Sequence, residues 1–199
     1  MAKGPQYNLP FRRRFEGRTH YGKRRRLVSS GIPRLVVRPS NKHMTAQLVE
    51  ARPTGDHVIA SAHSSELKEY GWKGSCGNMP AAYLTGLLAG SRAKTKGLSE
   101  AILDIGLYAR GAGSRIFAAT KGALDAGLTI PQDKAAMPDE ERIQGKHVVT
   151  YSKQIASEQE AYKKRFSGYL KRKLKPEDLS DHFSEVQAKI TATTSEAKR

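Results

Sequence analysis

The sequence predicts an α/β fold: a mixed sheet packed by helices, with an irregular basic N-terminal arm and C-terminal helices. Two observations lead to this prediction. Three short apolar segments separated by turn residues, within residues 34–63, indicate an antiparallel three-strand meander. A helix, one further strand and a second helix follow within residues 78–127, which is the order typical of a mixed α/β sandwich.

The three strands of the meander are predicted from apolar runs and from the alternation of apolar and polar residues. The first strand is centred on Leu35–Val37, and the second, over residues 43–51, alternates except at Val49. The Pro-Thr-Gly-Asp sequence at residues 53–56 is typical of a turn. The third strand then covers residues 57–63.

The segment after the meander carries helix and strand signals. Asn78 is a good N-cap, and a helix is predicted from it to about Arg92. Small residues such as Gly86 and Gly90 keep this helix slim, which favours close packing on a sheet. Residues 101–108 (AILDIGLY) then predict a buried strand, the fourth of the sheet.

A second helix follows, and the last third of the chain is also predicted to be helical. Ser114 at its N-cap and Gly127 just past its end bound the second helix. Apolar positions at helical spacing predict another helix over residues 152–174. A final helix carries the apolar residues Leu179, Phe183, Val186 and Ile190. The tail from Thr191 is predicted to be disordered.

The positive charge is concentrated at one end of the chain. The 199 residues contain 35 Lys and Arg against 19 Asp and Glu, a net charge of +16 with neutral His. Residues 1–42 hold twelve of these bases and one acid, whereas the other 157 residues hold 23 bases and 18 acids. We therefore predict three regions: a basic RNA-binding arm over residues 1–31, an α/β globular body over 32–131 and a C-terminal helical extension over 132–199.

Composition excludes two classes of protein. Cys76 is the single cysteine, so no intramolecular disulfide can form and a reducing compartment is expected. No apolar run approaches the ~18 residues of a membrane span, and the N-terminus lacks the apolar middle of a secretory signal. An integral membrane protein and a disulfide scaffold are thereby excluded, and an intracellular protein is expected.

The arm has the composition of an RNA-binding extension. It has little apolar content, and Pro and Gly residues interrupt any helix, so it is expected to need a polyanion to order it. Aromatic residues such as Phe11 and Tyr21 are interleaved with the bases, and flat rings can stack on unpaired bases of RNA. A nuclear import signal at Arg24–Arg26 and a basic membrane patch are the alternative interpretations, and nucleic acid is favoured over both.

The sequence contains no established catalytic motif. The Gly-rich turn at residues 110–114 lacks the Lys of a phosphate-binding loop and the third Gly of a dinucleotide fingerprint, so a structural turn is favoured over a phosphate site. The HExxH and GxSxG patterns are absent. Asp104 is a candidate metal carboxylate of a nuclease, but with no obvious partner acid a structural role is favoured. We therefore predict no enzymatic activity, no cofactor and no metal site.

Two further features stay open between two interpretations. Trp72 either stacks on a base or fills the edge of the core, and the two are equally favoured. The bases within Lys163–Lys175 form either a solvated helix face or a second RNA contact.

Several long segments together resemble one protein family. They are RRRFEGRTHYGKRRRL, RLVVRPSNKHMTAQLVE, SAHSSELKEYGWKGSCGNMPAAYLTGLLAG, AILDIGLY and GALDAGLTIP, in this order between Pro5 and Pro131. In these segments the sequence is similar to the eighteenth large-subunit ribosomal protein family (L-eighteen) in its archaeal form, whose eukaryotic equivalent is the fifth large-subunit protein. The residues after Pro131 are less distinctive and are compatible with the same family.

The resemblance implies a scaffold without catalytic activity. It implies binding to 5S rRNA and attachment of that RNA to the large-subunit rRNA in the central protuberance. The implied partners are these two RNAs and neighbouring large-subunit proteins, including the other 5S rRNA binder, on a cytoplasmic ribosome with no membrane contact. An RNA-processing enzyme that uses Asp104 and a DNA-compacting protein are the rival hypotheses.

The candidate RNA-binding residues come from two sources. The aromatic residues are those interleaved with bases in the arm, and the bases are those that correspond, by the resemblance, to the family's RNA-binding segment. They are Lys3, Tyr7, Phe11, Arg12, Arg13, Arg14, Arg18, Tyr21, Lys23, Arg24, Arg25, Arg26, Arg34, Arg38 and Lys42. Within this set the density of bases predicts that Arg12–Arg14 and Arg24–Arg26 are the main phosphate clamps.

Overall fold

The sheet at the centre of the protein contains four strands in the order β3-β2-β1-β4. A computed structural model describes residues 4–6, 8–109 and 111–196. The strands are β1 (Arg34–Pro39), β2 (Met44–Arg52), β3 (Gly55–His63) and β4 (Ile102–Asp104). The first three are antiparallel neighbours, and β4 pairs in parallel with β1. The predicted meander with one further strand is therefore confirmed.

Helices make up the rest of the regular structure, and the predicted mixed α/β class is confirmed. They are α1 (Arg12–Phe15), α2 (Tyr21–Val28), α3 (Met79–Thr95), α4 (Arg115–Asp125), α5 (Glu140–Ile143), α6 (Lys146–Ile155), α7 (Gln159–Arg165), α8 (Ser167–Lys171) and α9 (Leu179–Glu196). Short 3-10 helices cover Glu66–Lys68, Lys134–Ala136 and Pro176–Asp178. None of the helices in the described residues is long and apolar enough to cross a membrane.

The alternation of apolar and polar residues in β2 fails at Val49, and the register between β2 and β3 is irregular at the same place. Leu48 pairs with Ala60 but Val49 pairs with Val58, so β3 carries one extra residue at Ile59. Such a bulge bends the strand locally. Leu48 is fully buried in the core with α3, whereas Val49 lines a cavity on the other face of the sheet.

Helix α3 is buried along most of its length and packs closely on α4. The Asn78 side chain accepts a hydrogen bond from the Ala81 N–H at 3.0 Å, which confirms the predicted N-cap. A Cβ atom at Gly86 would lie 1.8 Å from the carbonyl oxygen of Ala119. The same close approach occurs at Gly122, facing the α3 backbone. Helix α3 packs on β2 and β3, as predicted, and Gly86 and Gly122 in addition allow α3 and α4 to approach each other closely.

Strand β4 is shorter than predicted. It ends at Asp104, and Gly106 turns the chain with a φ of +63° that favours glycine. Leu107 and Tyr108 are then 50% and 44% exposed. The prediction of a buried strand over residues 101–108 is therefore wrong for its second half, because the chain leaves the sheet after Asp104.

The C-terminal third is divided into more helices than predicted. The single helix expected over residues 152–174 is wrong: α6, α7 and α8 share this stretch. The break between α7 and α8 falls at the buried residue Phe166, whose ring contacts Tyr151, Tyr162 and Tyr169. The predicted apolar residues Tyr162 and Tyr169 pack around the ring of Phe166 instead of lying along one straight helix.

The final helix, α9, is confirmed by its predicted apolar residues, all of which are buried. They are Leu179, Phe183, Val186 and Ile190. It continues past Thr191 to Glu196, so the predicted disorder from Thr191 is wrong over residues 191–196.

The arm is less irregular than predicted, because it contains α1 and α2. Pro10 and Gly17 lie outside the helices, as helix breakers should. Gly22, however, lies within the first turn of α2, so the predicted helix break at Gly22 is wrong. The His20 side chain caps α2 by accepting from the Lys23 N–H at 3.1 Å.

Candidate nucleic-acid interface

The arm lies on the face of the sheet opposite α3 and α4. Side chains alternate along a strand, so Leu35 and Val37 point into the core while Val36 and Arg38 lie on the opposite face. A cavity of ≈ 640 Å³ separates that face from the arm, and we call it the arm cavity. Its basic lining residues come from both sides: Arg13, Arg18, Lys23, Arg24, Arg26, Arg34 and Arg38.

Five charged side chains of alternating sign connect the arm to the sheet, and we call them the charge ladder. Arg24 Nη2 in α2 lies 2.9 Å from Asp56 Oδ1 in β3. Asp56 Oδ2 lies 2.9 Å from Arg34 Nη2 in β1. Arg34 Nη1 donates to Asp104 Oδ2 in β4 at 2.8 Å, and Arg38 Nη2 donates to Asp104 Oδ1 at 3.1 Å. The ladder therefore joins α2 to three strands.

Asp104 is the carboxylate that lies between Arg34 and Arg38 in the charge ladder. Besides the two arginines, the Gly106 N–H donates to its Oδ1 at 2.8 Å. Burial opposes ionisation of this carboxyl, but the charge and hydrogen bonds of Arg38, the Gly106 N–H and the charge of Arg34 hold the pKa of Asp104 below its ordinary value. Both oxygens are occupied by donors, which fits a structural carboxylate better than a metal ligand.

Arg34 and Arg38 differ in how far they are exposed. The side chain of Arg34 is 4% exposed, whereas that of Arg38 is 38% exposed. Arg34 is committed to two carboxylates, so its burial does not support the predicted direct RNA contact. Its Nε has no hydrogen-bond partner among the residues that the structure describes. Arg34 is thus a buried positioning residue of the charge ladder.

Most of the other predicted bases remain accessible. Arg12 and Arg18 lie 3.4 and 3.3 Å from the two oxygens of Glu16, and Arg13 Nε donates to Thr19 Oγ1 at 2.9 Å. Exposed pairs of this kind contribute little, so a phosphate can replace the partner. Within the described part of the chain, five predicted bases have no side-chain partner: Arg14, Lys23, Arg25, Arg26 and Lys42.

The two aromatic residues predicted to stack on RNA bases contact each other. The ring centroids of Phe11 and Tyr21 are 5.2 Å apart, and the rings are inclined by 54°. Phe11 is 72% exposed, so one face of this pair is open to solvent. Lys3 and Tyr7 lie outside the described residues.

The geometry of the arm and the sheet falls within a segment that matches a known family. A family model described as ribosomal large subunit proteins 60S L5, and 50S L18, matches residues 5–99 and 91–133. Together these ranges cover more than half of the chain, including the arm helices, all four strands, α3 and α4. The chain belongs to this family. The resemblance to L-eighteen is thereby confirmed.

Membership of the 60S L5 and 50S L18 family makes this a large-subunit ribosomal protein. The family is one of structural ribosomal proteins and is not a class of enzymes. In this setting, the basic arm and the arm cavity have an obvious class of partner, because ribosomal RNA is the polyanion of the ribosome. Helices α5–α9 lie beyond the residues that the family model matches.

The remaining sequence candidates in this L5/L18-type chain are structural. Trp72 is 3% exposed, stacks on His182 with ring centroids 5.3 Å apart, and donates from Nε1 to the Ser75 carbonyl. This geometry favours the interpretation that Trp72 fills the edge of the core over the interpretation that it stacks on an RNA base. Among the described residues, no group of three or more His, Cys, Asp or Glu side chains is placed to hold a metal ion.

Sequence reasoning missed the role of Asp56. It was assigned only to a turn, yet it links the arm to β1 through Arg24 and Arg34. No local signal identifies this role, since its partners lie 32 and 22 residues earlier in the chain.

Proposed function

We propose that this ribosomal protein binds 5S rRNA through the arm and the arm cavity, and helps attach it to the large-subunit rRNA in the central protuberance. The observation that carries the proposal is the arm cavity itself, which seven basic side chains line within the segment matched by the family. The proposed partners are 5S rRNA, large-subunit rRNA and neighbouring large-subunit proteins, including the other 5S rRNA binder, on a cytoplasmic ribosome.

The charge of the arm supports the affinity part of the proposal. Arginine guanidinium groups match phosphate oxygens in charge and in geometry. If about 6–10 phosphates are contacted, affinity falls roughly 10³–10⁵-fold between 50 and 200 mM salt. The proposed contacts are the accessible members of the predicted set, together with Lys3 and Tyr7 at its start.

Selectivity for one RNA must come from its shape and its unpaired bases, because phosphates carry no sequence information. The exposed face of the Phe11–Tyr21 pair is suited to stacking on an unpaired base. An unpaired base is a feature of a folded RNA and not of a regular duplex.

The test is to purify the tagged protein from its own cells at low salt and to sequence the RNA that accompanies it. We expect 5S rRNA as the dominant species. Titrations of the pure protein with 5S rRNA, with a tRNA of similar size and with duplex DNA then measure selectivity. Comparable affinity for all three would contradict the proposal, and a preference for duplex DNA would favour the DNA-compacting alternative.

The stacking contact is tested separately with a variant in which both Phe11 and Tyr21 are replaced by Ala. At fixed salt, we expect its affinity for 5S rRNA to fall, because stacking contributes about 1–3 kcal/mol per base. The control replaces Leu107, an exposed apolar residue outside the arm, by Ala. An affinity equal to that of the unmodified protein would rule out stacking by this pair.

A further inference from the structure

The C-terminal helices carry a second concentration of positive charge. Residues 161–176 contain seven bases and no acid. All seven side chains are exposed. Six of them form no ion pair and no side-chain hydrogen bond with any part of the chain that the structure describes, and we call these six the C-terminal cationic surface: Lys163, Lys164, Arg165, Lys171, Lys173 and Lys175.

The seventh base, Arg172, anchors this segment to the body instead of facing solvent freely. Its guanidinium lies 5.7 Å from the centre of the Tyr169 ring and donates to the carbonyl of Gly74. The hydroxyl of Tyr169 accepts from the side chain of Asn78, the N-cap of α3, at 3.3 Å. Two contacts therefore hold the C-terminal cationic surface to the start of α3.

The apolar interior of the segment fixes the direction of its bases. Phe166 is 5% exposed and is surrounded by three tyrosine rings, one of which, Tyr151, belongs to α6, so the junction between α7 and α8 packs against α6. Lys163–Arg165 end α7, and Lys171 ends α8. Lysines and arginines at helix C-termini are favoured by the helix dipole, so the bases are compatible with stable helices before any partner binds.

The C-terminal cationic surface and the arm lie on different layers of the protein. The arm covers one face of the sheet, and α3 covers the opposite face. Helix α9 packs on α3, and α6 packs on α9 and leads into α7. The sheet and the α3 layer therefore lie between the arm cavity and the helices that carry the C-terminal cationic surface, which is thus a separate surface from the arm cavity.

The composition of this surface favours a phosphate backbone over a protein or a membrane. A protein interface normally has an apolar centre, whereas only two exposed large apolar side chains, Tyr151 and Leu170, lie near the six unpaired bases of this surface. A membrane-binding helix needs an apolar face directed outward, whereas the apolar stripe here converges inward on Phe166. Dense unpaired bases without interspersed acids are the signature of phosphate binding.

We propose that the C-terminal cationic surface is a second RNA-binding surface, and that it binds the phosphate backbone of large-subunit rRNA while the arm holds 5S rRNA. This inference rests on the proposed function for the assignment of the arm. It gives that function a mechanism, since one protein then contacts two RNA molecules through two separate surfaces and fixes their relative position.

The test uses the full chain with Lys171, Lys173 and Lys175 replaced by Gln. These side chains make no contacts in the described residues, so folding should be unaffected, which circular dichroism and thermal unfolding verify. The matched control replaces three other exposed and unpaired lysines, Lys68, Lys94 and Lys189, by Gln. Affinities for 5S rRNA and for large-subunit rRNA fragments are measured separately from 50 to 200 mM salt.

We expect the triple variant to bind large-subunit rRNA about tenfold more weakly at 150 mM salt, with a salt slope lower by about 2–3, because three phosphate contacts are lost. Its affinity for 5S rRNA should equal that of the control. Equal affinity of variant and control for large-subunit rRNA would overturn the inference. The inference would also be overturned if the triple variant lost its affinity for 5S rRNA, or if it lost only the binding of a protein partner.

Failure of the proposed function gives a different result. If the unmodified protein does not prefer 5S rRNA, the assignment of the arm is wrong. The second surface is then judged only by the difference between the triple variant and its control on large-subunit rRNA. Ultraviolet crosslinking of the two-RNA complex, followed by mass spectrometry, should place peptides of residues 161–176 on large-subunit rRNA, and crosslinks of these peptides to 5S rRNA alone would overturn the inference.

Discussion

Arg34 Nη1 lies 2.8 Å from Asp104 Oδ2 across the parallel pair of strands β1 and β4, and both side chains are less than one-tenth exposed. The chain separates these two residues by 70 positions, so the pair closes a long loop. Asp104 also holds Arg38, and Arg34 also reaches Asp56. This ion pair is therefore the junction between the sheet and the elements that carry the arm.

Replacing the carboxylate of the junction should destabilise the protein strongly. Asp104→Asn leaves the buried Arg34 guanidinium without its closest charged partner, and removing one member of a buried pair costs about 3 kcal/mol or more. Urea unfolding of the variant measures the loss. Glu69→Gln, at an exposed acid that forms no ion pair in the described residues, should change the free energy of unfolding by less than about 0.5 kcal/mol. A similar effect of both variants would contradict the importance of the pair.

The same pair should make stability depend on pH. The pKa of Asp104 is held below its ordinary value in the folded protein, mainly by Arg38 against the opposing effect of burial. The unfolded state therefore binds the proton more readily, and the stabilisation is complete above the ordinary carboxyl pKa of about 4 and is lost as pH falls through the lower folded value. The difference in unfolding free energy between the unmodified protein and Asp104→Asn should shrink from pH 6 to pH 3. A constant difference would refute this.

Asp56 should control how firmly α2 is held on the sheet. Asp56→Ala removes the partner of Arg24, a partly exposed pair that contributes about 1 kcal/mol at most, and it also removes one of the two carboxylates that pair with the buried Arg34. Global unfolding of the variant is therefore measured beside the local exchange. Amides of α2 should then exchange with deuterium up to about fivefold faster, and trypsin should cut at Arg24–Arg26 sooner. Glu50→Ala is the matched control, since Glu50 pairs with Arg52 on its own strand. Unchanged exchange in α2 would show that the arm is held by other contacts.

The contact between α3 and α4 should not tolerate a side chain at Gly86. A Cβ there would lie 1.8 Å from the Ala119 carbonyl oxygen, so Gly86→Ala forces the two helices apart. Overpacking of this kind typically costs 1–3 kcal/mol or more. Gly111→Ala, where a Cβ meets no atom within 4 Å, is the control. Thermal unfolding should show a much lower midpoint for Gly86→Ala, and equal midpoints for the two variants would contradict the close packing.

The two arginine triplets of the arm should dominate the salt dependence of RNA binding. Replacing Arg12, Arg13 and Arg14 by Ala should reduce the salt slope for 5S rRNA by about 2–3. Replacing Arg24, Arg25 and Arg26 should reduce it less, because Arg24 is engaged with Asp56 and does not face a phosphate freely. The triple Lys68, Lys94 and Lys189 variant serves as control, and a slope equal to that of the control in both variants would exclude the triplets as phosphate clamps.

Local sequence determined the parts of this protein that depend on neighbouring residues. The alternation in β2, the N-cap at Asn78 and the left-handed Gly127 after α4 each involve contacts within a few positions, so their residue types identify them. The concentration of bases in residues 1–42 is likewise a property of composition. These signals were sufficient for the α/β class and for a polyanionic partner.

Tertiary structure decided the features of this protein that depend on contacts between distant segments of the chain. The charge ladder joins Arg24, Asp56 and Asp104 from separate elements, and it makes Arg34 a buried positioning residue where the family resemblance implied an RNA contact. The break at Phe166 likewise depends on rings that fold around it. The physical reason is that burial and ion pairing are set by neighbours in space, and periodicity along the chain contains no record of which distant residues those neighbours are.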